Sequence, residues 1–310
     1  MSSNKKKLSF IVIIGPTATG KTKVAVDIAH LFNGEIISAD SRQIYKGMDI
    51  GTGKDLDEYI INNSHIPYHL IDILEPTQNY SVYQFQRDFL LSYNQIKKRR
   101  NIPILCGGTG LYIESILLKY KLQNAPRPNQ DLRDFLEEKT TEELLELFQN
   151  ISPEKYPDPS KKDTRNRIIR SIEIELDKTT EEPDIFSNQN IDNFLVIGIK
   201  KERQDNRDLI KKRLIERLDE GLIQEVESLL KNGLDKARLD YFGLEYKFVG
   251  SYLKKELTKD ELIDKLHIAI CQFAKRQMSW FRRMEKRGIE INWVNPLNKE
   301  HINNIIKNAI

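Results

Sequence analysis

The stretch FIVIIGPTATGKTKVAV, residues 10–26, decides the fold. The apolar run at 8–14 predicts a buried strand, and the pattern of 21–33 predicts the helix that follows it. The glycine-framed turn between them matches the motif G-x-x-x-x-G-K-[S/T] in the strand-loop-helix context that this motif needs. The fixed positions of the motif are Gly15, Gly20, Lys21 and Thr22. This order predicts an α/β fold with a P-loop NTPase-like parallel sheet as its core.

Backbone N–H groups of such a loop point into one concavity with the helix N-terminus, which favours a diphosphate. We expect Lys21 to reach the terminal phosphate and the Thr22 hydroxyl to hold Mg²⁺. The loop residues expected around the phosphates are Gly15, Pro16, Thr17, Ala18, Thr19, Gly20, Lys21 and Thr22. The motif does not select ATP, since any diphosphate or triphosphate ester satisfies the same geometry, and a plain glycine turn is the alternative.

Composition excludes several classes of protein. The chain has 310 residues, of which 39% are hydrophobic and 31% charged, the balance of a globular chain with ample sequence for a core. No apolar run approaches the roughly 18 residues that span a bilayer, and the start MSSNKKKLSF is too short and polar for a signal peptide. Two distant cysteines without C-x-x-C spacing support neither a disulfide scaffold nor a zinc site. We therefore expect a cytoplasmic protein with no membrane partner.

The net charge is only +3, but its distribution is uneven. Residues 275–287, KRQMSWFRRMEKR, carry six basic side chains and one acid, Glu285, for a local charge of +5. This segment is a candidate surface for an anion such as nucleic acid. The alternative is a solvated basic helix face with Trp280 and Phe281 in the core.

The rest of the chain continues an alternating pattern and then becomes helical. Strands are predicted at 34–40, 66–74, 102–110 and 193–199, and helices at 81–99, 131–149 and 163–177. From about 206 to 287 long helices follow, with DEGL and KNGL as stop signals. Two prolines in QNAPRPNQD, residues 123–131, break the rhythm. We divide the chain into a catalytic core, 1–123 with 191–310 including the C-terminal helices, and a helical insert domain at 124–190.

A carboxylate follows the second predicted strand, in ADSRQIYKGMDIGTG at 39–53. Because the carboxyl ends of parallel strands share one edge of a sheet, we expect Asp40 to face the phosphate loop. It can bind Mg²⁺ through water or act as a general base, and an N-cap or Asx-turn is the structural alternative. Arg42 and Gln43 beside it suit a phosphate or a nucleobase edge.

Five stretches in this order, GPTATGKT, ADSRQIYKGMDIGTG, YHLIDI, GGTGLYI and FAKRQMSWFRR, closely resemble the bacterial tRNA dimethylallyltransferase family. The resemblance covers residues 10 to about 287, and the second and last stretches are more specific than the phosphate loop. Two departures stand out. Position 53 is Gly where the family more often has Ala, and YFGLEY replaces the usual glycine-tyrosine-arginine sequence near 243.

The resemblance implies transfer of a dimethylallyl group from dimethylallyl diphosphate to N6 of the adenosine 3′ of a tRNA anticodon. The loop then binds the prenyl diphosphate rather than ATP. Asp40 would take the N6 proton, and an arginine of the 203–217 helix would help to hold the leaving diphosphate. The expected catalytic residues are Asp40, Thr19, Lys21, Arg207 and Arg213, with the choice between the two arginines left open.

The resemblance also implies the positions that face the tRNA anticodon stem-loop. Ser41, Arg42 and Gln43 would read the flipped adenosine or its neighbours, and Thr109 would contact it from the opposite wall. The full set expected at tRNA is Asp40, Ser41, Arg42, Gln43, Thr109, Arg133, Asp163, Thr164, Arg165, Asn166, Arg167, Lys275, Arg276, Gln277, Trp280 and Arg282. The expected cofactor is Mg²⁺, the expected metal ligand is Thr22, and a monomer is expected.

Three alternatives stay open at this point. An ATP-dependent small-molecule kinase would share the loop and the sheet, but leaves the basic C-terminal helix unexplained. A prenyltransferase acting on free adenine nucleotides would need no basic surface for tRNA. A non-catalytic nucleotide switch is the third, and Asp40 facing an acceptor argues against it.

Overall fold

A computed structural model describes residues 8–122, 129–153, 164–176 and 184–310. Contacts divide the chain into two compact units. One unit comprises Met1–Tyr120 and Asn188–Ile310, and the other comprises Lys121–Ser187. We call them the core unit and the insert unit. The boundaries predicted from the sequence lie at 123/124 and 190/191.

A parallel sheet forms the centre of the core unit. The strands of this sheet are β1 Phe10–Ile14, β2 Gly34–Ser38, β5 Tyr68–His69, β6 Ile102–Gly107, β7 Phe194–Ile199 and β8 Asn292–Val294. Two further strands, β3 Ile60–Ile61 and β4 Ser64–His65, pair with each other in a separate short hairpin. The sheet order is β5-β2-β6-β1-β7-β8, and every pairing in it is parallel. The predicted α/β fold with a parallel sheet is confirmed.

Helices cover the sheet and make up most of the rest of the described chain. Their bounds are α1 Lys21–Phe32, α2 Val82–Lys98, α3 Gly110–Leu117, α4 Gln130–Glu137, α5 Thr141–Ile151, α6 Arg165–Leu176, α7 Arg203–Asp219, α8 Leu222–Lys231, α9 Lys236–Phe242, α10 Leu244–Leu253, α11 Lys259–Lys286 and α12 Lys299–Ala309. A 3-10 turn covers Leu56–Tyr59. Among the described residues, no helix combines the length and apolar character needed to cross a membrane.

Strand β1 is in the middle of the sheet, and all five of its residues are fully buried. This explains its uninterrupted apolar sequence, because a central parallel strand is covered on both faces. The phosphate loop and the residues after β2 and β6 therefore lie along one edge of the sheet.

Two sequence predictions were wrong in their bounds. The strand expected at 66–74 is only Tyr68–His69, because Leu70 and Asp72 have positive φ angles of 63° and 56° that end the extended backbone. The helix expected at 131–149 is two helices, α4 and α5. Thr140 interrupts it as the N-cap of α5, in a capping box with Glu143. The short strand β8 and helix α12 were not predicted.

The insert unit has a small apolar core of its own. Leu136, Leu144 and Phe148 are buried together with Ile168, Ile169 and Ile172 of α6. Glu173 is buried with them and accepts two hydrogen bonds from Arg133, at 2.7 and 2.9 Å. Such a paired carboxylate fixes the packing of α4 on α6.

Candidate functional site

The phosphate loop adopts a strained shape between β1 and α1. Ala18 and Gly20 have φ angles of 65° and 84°, in the left-handed region. The Thr19 hydroxyl is buried and donates to the carbonyl of Pro16 at 2.9 Å. We expected the Thr19 side chain to serve the leaving group, but the structure turns it inward, where it braces the loop.

A cavity of about 220 Å³ opens beside this loop. Its loop side includes Lys21 and Thr22, and its opposite sides come from the segment after β2 and from α7. The lining residues are Ala18, Gly20, Lys21, Thr22, Asp55, Glu58, Leu209, Lys212, Arg213 and Glu216. Of the two candidate arginines, Arg213 lines the cavity and donates to the Thr17 hydroxyl. Arg207 is exposed and is not part of the lining, so the structure favours Arg213.

The cavity holds two desolvated cations, Lys21 and Arg213, and the carboxylates of Asp55, Glu58 and Glu216 also line it. Burial lowers the pKa of the Lys21 ammonium, and nearby Arg213 acts in the same direction, whereas Cys106 and Asp40 oppose it. Burial and the neighbouring Arg217 lower the pKa of Arg213 to about 10, so the guanidinium stays protonated at neutral pH. A bound anion would relieve both effects, because it compensates two desolvated cations. The desolvation of Lys21 and Arg213 therefore favours an anion, such as a diphosphate, beside these two side chains.

Asp40 follows β2 and influences Lys21 electrostatically, as expected for a carboxylate at the same edge of the sheet. Its Oδ1 accepts the N–H of Arg42 at 3.0 Å, which is the Asx-turn that was considered as the alternative. The two roles are compatible, because one carboxylate oxygen shapes the turn and Oδ2 can still accept a proton.

The turn after β6 is locked against the segment after β2. The Thr109 hydroxyl accepts the N–H of Ser41 at 3.0 Å, and the Thr109 N–H donates to the Ala39 carbonyl at 3.1 Å. A Cβ at Gly107 would lie 2.3 Å from that same carbonyl, so only glycine permits this approach. The structure thus places Ala39 and Ser41, the neighbours of Asp40 in the chain, in contact with Thr109.

Arg42 and Gln43 both have partners within the protein. Arg42 forms an ion pair with Glu245 at 3.2 Å and lies 5.3 Å from the centre of the Phe273 ring. Glu245 belongs to the YFGLEY departure from the family pattern, so this departure supplies the partner of Arg42. The Gln43 amide accepts from the Ser38 hydroxyl at 2.9 Å and donates to the Gly53 carbonyl at 2.8 Å.

The second departure, Gly53, also has a structural reason. Its φ angle is 63°, and a Cβ there would lie 1.9 Å from Nη2 of Arg217. Arg217 is buried and approaches Asp55 at 3.5 Å. Glycine is therefore required at position 53 as long as Arg217 occupies this place.

Sequence reasoning missed the groups that hold the segment 45–54. The Lys54 ammonium is buried and donates to the carbonyl of Tyr45 at 2.8 Å and to Asp49 at 2.6 Å. Glu225 of α8 accepts the N–H groups of three successive residues, 49–51, at 2.7 to 3.0 Å. No motif in the sequence marks Glu225, since its partners are backbone groups far away in the chain.

Helix α11 presents the predicted basic face. Lys275, Arg276 and Arg282 are exposed, whereas Trp280 is half-buried and packs over Gly110. Gln277 differs from the prediction because it is buried, with its amide turned toward the phosphate loop. The helical phase explains this, since residues 274, 277, 281 and 284 form the inward row of α11.

Insert positions that we expected at tRNA also have contacts within the protein. Arg133 is paired with Glu173, and Arg165 donates to the carbonyls of Leu136 and Glu137 at the end of α4. The Thr164 carbonyl accepts the N–H groups of Arg167 and Ile168. Asn166 and Arg167 are exposed on α6. Asp163 lies outside the described residues.

The cavity suits a divalent cation bound mainly through its substrate. Thr22 offers a hydroxyl oxygen, and Asp55 and Glu58 offer carboxylates in the same cavity. Among the described residues there is no cluster of three or more His, Cys, Asp or Glu side chains able to hold a metal. This donor set fits Mg²⁺, which keeps several waters and is shared with phosphate oxygens.

A parallel sheet with this loop at the end of its central strand defines a protein of the P-loop class. Comparison with known families gives the narrower assignment. The model of the family described as IPP transferase matches residues 43–284, and that of Isopentenyl transferase matches residues 8–66. The chain belongs to the IPP transferase family.

Relatives agree with this assignment over nearly the whole chain. The tRNA dimethylallyltransferase 1 of Parabacteroides distasonis is 50% identical, with 93% of each chain covered. The tRNA dimethylallyltransferase 2 of Bacteroides fragilis is 49% identical, with 92% of each covered. The crystal structure of the full-length tRNA isopentenylpyrophosphate transferase from Bacillus halodurans is 32% identical and superposes with a TM-score of 0.68, covering 98% of this chain and 97% of that one. The chain is therefore a prenyl transferase of this family, which is consistent with a divalent metal cofactor.

Proposed function

We propose that this protein transfers the dimethylallyl group of dimethylallyl diphosphate to N6 of the adenosine on the 3′ side of a tRNA anticodon, releasing diphosphate. The observation that carries the proposal is the cavity beside the phosphate loop, where Lys21 and Arg213 are desolvated cations and Asp40 lies at the same edge of the sheet. The relatives named tRNA dimethylallyltransferase support the same reaction.

The exocyclic amine of adenine is a poor nucleophile, because its lone pair is delocalised into the ring. Asp40 takes the N6 proton as the new C–N bond forms, and Arg42 N–H keeps the carboxylate oriented through Oδ1. The bond between the allylic carbon and the diphosphate oxygen breaks, and its electron pair leaves with the diphosphate.

The developing charge on the leaving group is stabilised by Lys21, Arg213 and the N–H groups of the phosphate loop. Thr22 would hold Mg²⁺, with Asp55 and Glu58 nearby in the same cavity. When bound, Mg²⁺ supplies further positive charge to the diphosphate oxygens. Arg213, rather than Arg207, is the arginine that we assign to this role, because it lines the cavity.

The acceptor is a stacked nucleotide that must be flipped out of its stack. The free-energy cost of this step is lowest in single-stranded loops. Ser41 and Thr109 lie next to Asp40 and are suited to contact the flipped adenosine. Within the core unit, Lys275, Arg276 and Arg282 on α11 would neutralise phosphates of the anticodon stem-loop. In the insert unit, the exposed Arg167 is suited to the same purpose, and the exposed Asn166 can donate a hydrogen bond to a phosphate. A monomer in the cytoplasm completes the proposal.

The test is transfer without ATP. Purified protein, Mg²⁺, labelled dimethylallyl diphosphate and unmodified tRNA are incubated with ATP omitted, and label is counted in the tRNA. We expect label in the tRNA, unchanged when ATP is added. A strict need for ATP as co-substrate, or transfer of a γ-phosphate label to a small acceptor, would show that the protein is a kinase instead.

A further inference from the structure

Gln277 occupies an unusual position for a polar residue on a helix. It lies on α11 between Ala274 and Phe281, in the row of side chains that this helix buries. Only 7% of Gln277 is exposed, whereas its neighbours Lys275 and Arg276 are exposed. A buried amide must be hydrogen-bonded to offset its desolvation, so its partners are informative.

The amide of Gln277 connects two turns that are far apart in sequence. Its Oε1 accepts the N–H of Thr17, in the phosphate loop, at 2.9 Å. Its Nε2 donates to the carbonyl of Gly108, in the turn after β6, at 3.0 Å. The orientation of the amide is fixed by these partners, since a backbone N–H only donates and a carbonyl only accepts.

Both turns belong to the site described above. The Thr17 hydroxyl accepts from Arg213, and Gly108 precedes Thr109, whose hydroxyl contacts Ser41. A Cβ at Gly108 would lie 2.3 Å from Nε2 of Gln277, so the backbone approaches the amide as closely as glycine permits. One side chain of α11 is thus bonded to the loop for the diphosphate and to the turn beside the acceptor.

We propose that Gln277 is a positioning residue for the leaving-group site, which ties the phosphate loop to the helix whose exposed face binds tRNA. The inference rests on the proposed function for the identity of the ligands. The Thr17 bond keeps the outer arm of the loop in place, so that Lys21 and Arg213 converge on the diphosphate. Gln277 itself touches neither substrate.

Two substitutions disturb the amide from opposite sides. Gln277→Met keeps the length of the side chain and removes both hydrogen bonds. Gly108→Ala leaves Gln277 in the sequence but displaces its amide through the added methyl group. Gln95→Met is the control, since Gln95 is an exposed glutamine on α2, outside the phosphate loop and the basic face of α11. Thermal unfolding of each variant checks that it is folded.

Calorimetric titration with inorganic diphosphate and Mg²⁺ measures the affinity of the phosphate loop for diphosphate. A filter-binding assay measures the affinity of the protein for tRNA. We expect both variants to bind diphosphate about tenfold more weakly, as the loss of two hydrogen bonds predicts. The KM for dimethylallyl diphosphate should rise in parallel, while the affinity for tRNA stays within threefold. The control should match the unmodified protein in every assay.

Unchanged diphosphate affinity in either folded variant would overturn the inference. A loss of tRNA affinity as large as the loss of diphosphate affinity would also overturn it, because Gln277 would then contact tRNA directly. The proposed function is judged separately, by whether the unmodified protein labels tRNA. The diphosphate titration decides the role of Gln277 whichever way that experiment ends.

Discussion

At the scale of the residue, the proposed mechanism depends most on Asp40. One of its oxygens accepts the Arg42 N–H, so the carboxylate shapes a turn as well as facing the loop. Substitution by asparagine separates these functions, because the amide oxygen can keep the turn while the base is lost.

We therefore predict that Asp40→Asn lowers kcat by about 10² to 10⁴. The affinity for tRNA should remain within a few fold, since the turn and the basic helix are intact. Single-turnover kinetics and a tRNA binding assay measure the two quantities. If binding and rate fell equally, Asp40 would be a structural residue.

Glu35, at the start of β2, stabilises the fold and has no part in the proposed reaction. Burial alone would raise the pKa of Glu35, but hydrogen bonds from Arg99, His69 and Asn101 outweigh it and hold the pKa at about 2. His69 is one of these partners, with its Nε2 2.8 Å from the carboxylate. The ionised carboxylate is the form that the folded protein stabilises.

Because the folded pKa lies below the unfolded one, this stabilisation is present above about pH 4.5 and is lost as the pH falls toward 2. We predict that Glu35→Gln lowers the free energy of unfolding by about 2 kcal/mol at pH 7. The difference from the unmodified protein should shrink between pH 4.5 and 2. Urea unfolding at pH 7, 5 and 3 measures it, with the exposed Glu290→Gln as control. A difference independent of pH would refute the assignment.

At the scale of the element, the segment 45–54 is shaped by contacts rather than by repeating structure. Glu225 accepts three backbone N–H groups of residues 49–51 and the hydroxyl of Tyr246, at 2.7 Å for the latter. Burial and the negative Glu225 raise the pKa of Tyr246. Both carboxylate oxygens are used, so an amide cannot replace Glu225.

We expect Glu225→Gln to lower the free energy of unfolding by about 1 to 3 kcal/mol, since its amide nitrogen would face backbone donors. Glu227→Gln on the same helix is the control and should change stability little. Denaturant unfolding of both variants makes the comparison. Equal stabilities would mean that the segment does not depend on Glu225.

The elements also show what the sequence could and could not predict. The phosphate loop, β1, α1 and the end of β2 were predictable because their signals are local. The break between α4 and α5 also has a local signal, the Thr140 capping box, but the apolar spacing of residues 131–149 led us to predict a single helix there. The buried amide of Gln277 and the hydrogen bonds of Glu225 to residues 49–51 were not predictable. Each depends on backbone groups that only the tertiary fold brings near.

At the scale of the whole molecule, the net positive charge is small, but basic side chains are concentrated on one helix. The net charge is +3, yet α11 alone carries Lys275, Arg276 and Arg282 on its exposed side. Arg283 of the same helix and Arg287, its C-cap, are paired with the buried Glu114, at 2.8 and 2.9 Å. Some basic residues of this region therefore hold α11 against α3, whereas others are exposed and available to bind an anion.

We predict that tRNA affinity falls steeply with salt, because phosphate contacts release counterions. Arg282→Ala should reduce the slope of log K against log salt by about one. Lys307→Ala, an exposed cation on α12, should leave the slope unchanged. Binding titrations at several salt concentrations measure the slopes, and equal slopes for both variants would remove Arg282 from the tRNA surface.

The central claim is that the phosphate loop holds a prenyl diphosphate while Asp40 activates an adenosine of tRNA. The most direct measurement is the identity of the product nucleoside. After reaction with labelled dimethylallyl diphosphate, one portion of the tRNA is digested to nucleosides that are separated by mass, and another is digested to oligonucleotides that are sequenced by mass spectrometry. We predict one labelled nucleoside, N6-dimethylallyladenosine, in the fragment that contains the position 3′ of the anticodon. Label in free adenine nucleotides, in another nucleoside, or in none would contradict it.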